Sequence, residues 1–142
     1  MPDKDLVRFL EAQNQMYMTA LSEIKKGRKE SHWMWFIFPQ VKGLGTSENA
    51  RYFGINGLEE AARYLDHPVL GKHLIEITTA LLEINKKSAL QILGTPDDLK
   101  LRSCMTLFAA LENSSPVFAQ VLDKFFEGKP DPMTISLLEK TA

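Results

Sequence analysis

Residues 95–112 read Thr-Pro-Asp-Asp-Leu-Lys-Leu-Arg-Ser-Cys-Met-Thr-Leu-Phe-Ala-Ala-Leu-Glu, and this stretch decides the fold class. A hydroxyl residue able to cap, a proline whose fixed φ suits a first turn, and two acids near the positive end of a helix dipole converge on one helix start. The residues that follow carry that helix to about Glu112. The same signal recurs at Ser115-Pro116, opening a helix that stops at Gly128, and at Asp131-Pro132, opening a terminal helix. Three such starts in one half of the chain predict a mainly α protein.

The N-terminal half agrees. Leu6, Leu10, Gln13, Tyr17, Leu21 and Ile24 recur at three- and four-residue steps, with Asp3 or Asp5 as cap and Gly27 as stop, which describes an amphipathic first helix. Glycines at 43, 45, 54 and 57 leave room for a short helix after Thr46-Ser47-Glu48 and another over 58–65. Pro68 suits the first turn of a helix through Ile84, with Leu70, Leu74, Ile77, Leu81 and Ile84 as its buried stripe. Gly71 inside it costs roughly 1 kcal/mol against alanine, so close packing or a ligand belongs there. Ser88 caps a short turn ending at Gly94. The expectation is a single compact domain, residues 1–142, of about seven helices, with no repeat and no linker.

Composition bounds the function. The 142 residues are 44% hydrophobic and 25% charged, ordinary for a globular domain. Seventeen Lys and Arg against 18 Asp and Glu give a formal charge of -1, which supplies no field for nucleic acid or an anionic membrane. The basic run Lys25, Lys26, Arg28 and Lys29 reads first as a solvated helix end whose cations complement the dipole, with a local phosphate site as the alternative. Cys104 is the one cysteine, so no intrachain disulfide forms, and a reducing compartment is favoured. There is no basic-then-apolar leader, and the longest apolar run, Trp33 to Phe38, is too short to span a bilayer. A cytoplasmic location is therefore expected, with neither membrane nor nucleic acid as partner; oligomeric state is left open.

Ser31-His32-Trp33-Met34-Trp35-Phe36-Ile37-Phe38-Pro39-Gln40 holds both tryptophans of the chain. Periodicity leaves it either a buried strand or a buried helical turn capped by Ser31, and Pro39 biases Phe38 toward extended backbone. It belongs near the core in either case. The rings could be packing alone. Alternatively His32, Gln40 and the indole N–H groups, which need partners if buried, could be satisfied by a planar ligand stacked on Trp33 or Trp35.

A second polar cluster, Lys100, Arg102, Ser103 and Thr106, lies on the helix quoted first. Its four- and three-residue steps pair Arg102 with Thr106 and Lys100 with Ser103 on helix faces. It could hold a phosphate or carboxylate, or pair with Asp97, Asp98 or Glu112. Cys104 reads as packing. No Walker loop, dinucleotide fingerprint, paired metal-ligand histidines or Gly-x-Ser-x-Gly elbow is present, so no cofactor or metal is expected.

On Leu6-x-x-Phe9-x-x-Ala12-Gln13, residues 31–40, Gly43-Leu44-Gly45, Tyr64-Leu65-x-His67-Pro68-x-Leu70-Gly71 and Lys100-Leu101-Arg102-Ser103, the chain resembles domain-of-unknown-function family 1810, whose members sometimes carry the label calpastatin. The resemblance implies a small, mainly helical, bacterial-type cytosolic protein and no settled activity; Cys104 stands where a serine is expected. A more remote similarity is to the NADAR family of N-glycosidase-like proteins, through Pro39, Gly43 or Gly45, and Thr46-Ser47-Glu48. There a histidine follows the glutamate, and here Asn49 does.

Three functions compete. One is binding of a small anionic or nucleotide-like ligand, with Trp33 or Trp35 stacking, His32 and Gln40 reading polar edges, and Lys100, Arg102 and Ser103 clamping the anion. Another is an N-glycosidase-like hydrolase acting on a nucleotide or ADP-ribose derivative, in which Glu48 stabilises an oxocarbenium-like centre or activates water and His32 is acid or base. The last is a protein-interaction module without catalysis.

Overall fold

Each stretch with helical periodicity forms a helix. The computed structural model describes residues 6–141, in which nine helices follow one another: α1 (Val7–Lys25), α2 (Met34–Ile37), α3 (Glu48–Tyr52), α4 (Gly57–Asp66), α5 (Leu70–Leu82), α6 (Ala89–Leu93), α7 (Asp97–Ala109), α8 (Val117–Phe126) and α9 (Pro132–Thr141). The count exceeds the expected seven because single-turn segments such as α2 also close helical hydrogen bonds. The expected cap at Asp3 or Asp5 lies outside the described residues.

The core is one cluster. α5 packs on α1, α4 and α8, while α7 packs on α4, α6, α8 and α9. α7 is buried over most of its circumference, at Leu101, Ser103, Cys104, Met105, Thr106, Leu107 and Phe108. The stripe of α1 is buried at Phe9, Gln13, Tyr17, Leu21 and Ile24, and that of α5 at Leu70, Leu74, Ile77 and Leu81. Gly71 is a point of close packing: a Cβ there would stand 1.9 Å from the Leu65 carbonyl oxygen, so α4 and α5 meet backbone to backbone.

Several helix ends differ from expectation for identifiable reasons. α7 begins without a side-chain cap, so Thr95 does not cap it. It also ends at Ala109 instead of Glu112, where the Ser114 hydroxyl donates to the Phe108 carbonyl at 2.7 Å. α5 starts at Leu70, two residues after Pro68, because His67 Nδ1 accepts from the Val69 and Leu70 amides at 3.1 and 3.3 Å. It ends at Leu82, before Ile84, where Lys124 Nζ donates to the Leu82 and Ile84 carbonyls, both at 2.6 Å. Ser88 forms the expected cap with a full capping box, and Asp131 Oδ2 accepts from the Thr134 amide at 3.0 Å to cap α9.

Candidate functional site

Residues 31–40 take the helical alternative for a single turn, α2, which starts after Trp33 with no side-chain cap, the Ser31 hydroxyl going to Glu23 instead, and Phe38 then leaves at φ -123° before Pro39. Trp33 is fully buried, and its indole N–H donates to Glu23 Oε1 at 2.8 Å. The same carboxylate accepts from the Glu30 and Ser31 amides at 2.8 and 2.9 Å and from the Ser31 hydroxyl at 2.6 Å. Burial works against the charge of Glu23, but these hydrogen bonds, Ser31's first, outweigh it and hold the carboxyl at about 2. Both faces of Trp33 are covered, so it cannot stack a ligand; its role is to lock the segment onto α1.

Trp35 is the partly exposed indole. Lys100 Nζ stands 4.3 Å above its ring centre and 3.5 Å from Asp97 Oδ1, while Lys29 Nζ sits 3.0 Å from Asp97 Oδ2 and 5.1 Å from the Trp33 ring. Two ammonium groups thus share one carboxylate at the start of α7, each beside an indole. Asp98 turns its carboxylate onto the Leu99 amide at 2.9 Å. Lys29, read from sequence as part of a solvated helix end, is instead nearly covered, its side chain 8% exposed.

Gln40 borders the same surface. Its carbonyl accepts from the Ile55 amide at 2.8 Å, beside the parallel bridge between Val41 and Ile55 that closes the loop carrying α3. Gly54 is required there, since a Cβ would come within 2.9 Å of Lys42 Cα and the Ala50 carbonyl oxygen. Trp35, Gln40, Leu44, Gly45 and Asn49 line a recess of only about 10 Å³, room for about one water.

The remaining expected site residues are placed elsewhere. His32 is exposed between Ser31 and Trp33. Glu48 lines a separate open depression with Asn49, Arg51 and Tyr52, and Asn49 and Ala50 are the α3 residues that reach the Trp35 recess. Arg102 donates from Nε to the Lys129 carbonyl at 2.9 Å and from Nη2 to the Pro130 carbonyl at 2.8 Å. Ser103 is buried, its hydroxyl 3.2 Å from both the Leu99 carbonyl and Asp131 Oδ2. Arg102 and Ser103 therefore anchor the connection between α8 and α9, and only Lys100 of this trio reaches the aromatic segment.

A polar network that sequence reasoning missed spans α1 and α5. Gln13 Nε2 donates to the Phe36 carbonyl at 2.7 Å and to the Tyr64 hydroxyl at 2.8 Å, and Gln13 Oε1 meets His73 Nδ1 at 2.8 Å. Tyr17 stacks on the His73 ring with centroids 3.6 Å apart, and its hydroxyl donates to Glu76 Oε1 at 2.5 Å. Burial lowers the His73 pKa and raises that of the Tyr17 phenol. The available signal was Gln13 itself, a polar residue in an otherwise apolar stripe.

These elements define a mainly helical domain with a tryptophan and lysine surface on one side and a histidine-centred network on another. The chain belongs to the family described as "Protein of unknown function (DUF1810)", whose model matches residues 3–138. It is 45% identical to the conserved hypothetical protein Rv1873 from Mycobacterium tuberculosis, whose crystal structure superposes with a TM-score of 0.93 over 95% of this chain and 96% of that one. No curated protein matches the chain. Among the described residues, no helix is long and apolar enough to cross a membrane, and no group of three or more His, Cys, Asp or Glu converges as a metal site.

Proposed function

We propose that this protein binds a small anionic, nucleotide-like ligand on the surface where Trp35 and Gln40 meet the first turn of α7. The supporting observation is the Lys100 ammonium held 4.3 Å over the Trp35 ring while it shares Asp97 with Lys29. An indole face beside two lysines offers stacking for a planar base and a cationic end for its phosphate. Gln40 supplies a polar contact at the rim. The adjoining recess is too small to enclose a ligand, so the base lies across the rim and Lys100 swings from the ring to the phosphate. Such a swing gives up a cation–π contact of about 1 kcal/mol, which a charge-assisted hydrogen bond to phosphate offsets. Trp33, Arg102 and Ser103 are scaffold for this site. A cytoplasmic setting is part of this reading, supported by Cys104 being the one cysteine of the sequence.

A fluorescence and thermal-shift titration with ADP, ATP, ADP-ribose and inorganic phosphate tests this. Quenching of Trp35 with saturable stabilisation, weakened about tenfold in Lys100→Met by loss of one charge-assisted contact and abolished in Trp35→Leu, is the expected result. No saturable response to any of the four, or unchanged affinity in both variants, overturns it. The hydrolase alternative requires Glu48 beside the ligand, and Glu48 lines the neighbouring depression instead of the Trp35 recess.

A further inference from the structure

A cleft of about 420 Å³ opens between α1 and the start of α5, lined by Leu10, Glu11, Gln13, Asn14, Val69 and His73. Its chemistry follows from the buried network behind it. The Phe36 carbonyl can only accept, so the Gln13 atom facing it is the NH₂ group, whose two protons go to Phe36 and to the Tyr64 hydroxyl. Gln13 Oε1 is therefore the atom 2.8 Å from His73 Nδ1, and since an amide oxygen only accepts, Nδ1 carries the proton. A neutral imidazole protonated at Nδ1 has its lone pair on Nε2. Burial favours the neutral ring against the opposing pull of the Glu76 charge, and the stacked Tyr17 fixes its plane. No described residue hydrogen-bonds Nε2.

The other polar groups of the cleft are also acceptors or can act as such. Glu11 is exposed and forms no ion pair among the described residues, and Asn14 is exposed beside it. Leu10 and Val69 supply apolar surface. We propose that this cleft, distinct from the Trp35 surface, binds a small aliphatic amine. Its ammonium donates to His73 Nε2 and to the Glu11 carboxylate, and its hydrocarbon chain lies on Leu10 and Val69. The volume lies within the range of small-ligand sites. An anion is disfavoured, because both the Nε2 lone pair and Glu11 would repel it.

The test is an NMR titration of the full chain with n-butylamine and 1,4-diaminobutane, with butanoate as the matched anion. Expected are saturable shifts of the His73 ring and of the Leu10 and Val69 methyl groups with the amines and not with butanoate. Affinity falls about tenfold in Glu11→Gln, as for one lost charge-assisted contact. That variant alters an exposed side chain and leaves the fold intact. His73→Phe keeps the stacking on Tyr17 but loses both the Nε2 acceptor and the Nδ1 donor to Gln13, and is expected to abolish the shifts at Leu10 and Val69, with the Glu11→Gln variant testing the cleft without disturbing Gln13. Absence of saturation with both amines, equal shifts with butanoate, or unchanged affinity in Glu11→Gln overturns the proposal.

Discussion

The indole N–H of Trp33 donates to the carboxylate of Glu23 across 2.8 Å, and this bond joins the aromatic segment to the end of α1. Glu23 gathers four donors in all, so its charge is the electrostatic centre that orders residues 30–33. Replacing it by Gln removes the charge that three N–H donors share at Oε1 and forces the Ser31 hydroxyl, the partner of Oε2, to accept instead of donate. Glu23→Gln is expected to cost about 2–3 kcal/mol in chemical denaturation.

The same carboxylate sets an acid dependence. Its folded pKa is lowered from 4.5 to about 2, so the unfolded chain binds the proton more readily. The stabilisation is fully present above the unfolded value and is lost as pH falls through that window toward the folded one. Denaturation midpoints measured from pH 6 to pH 2 should show a decline below about pH 5 that is reduced in Glu23→Gln. Equal slopes for the two proteins would refute the assignment.

Gly71→Ala sets two opposed effects against each other. Alanine is the better helix former by roughly 1 kcal/mol, but its Cβ would lie 1.9 Å from the Leu65 carbonyl oxygen and 2.8 Å from its carbon. Both are backbone atoms, so no rotamer change relieves the overlap, and α4 must move off α5. Steric cost wins, and a net loss of about 3 kcal/mol is expected. A thermal melt reads it directly, and an unchanged or raised Tm would mean that the two helices are not in backbone contact.

The helices were legible because their signals are local: Ser88 with Gln91, Asp131 with Thr134, and the spacing of Leu70, Leu74, Ile77 and Leu81 all act within a few residues. Trp35 and Lys100 could be singled out as residue types, but their meeting depends on how α2 approaches α7, which no local pattern specifies. Arg102 and Ser103 looked equally suited to an anion, yet the chain after α8 folds back to present the Lys129 and Pro130 carbonyls and Asp131 to them. The Gln13–His73 pair, 60 residues apart, was invisible for the same reason. Long-range polar satisfaction has no period.

Thr78 provides the reverse of Glu23, a buried hydroxyl that is 0% exposed and has no hydrogen-bond partner among the described residues. Valine has nearly the same shape and needs no partner. Thr78→Val is expected to stabilise the fold by about 1 kcal/mol, seen as a higher denaturant midpoint with an unchanged m-value. Destabilisation would mean that the hydroxyl is satisfied in solution.

Arg102 and Lys100 are two residues apart on one helix and should separate cleanly by experiment. Arg102 ties down two backbone carbonyls of the α8–α9 connection, so Arg102→Met is expected to lose about 1–2 kcal/mol. Amide exchange in residues 128–131 should accelerate while nucleotide affinity at Trp35 is retained. Lys100→Met gives the opposite pattern: its ion pair with Asp97 is partly solvated and contributes at most about 1 kcal/mol, whereas ligand binding falls. The two losses are therefore orthogonal, and finding both phenotypes in either variant would show that the helix surface and the α8–α9 strap cannot be assigned to separate roles.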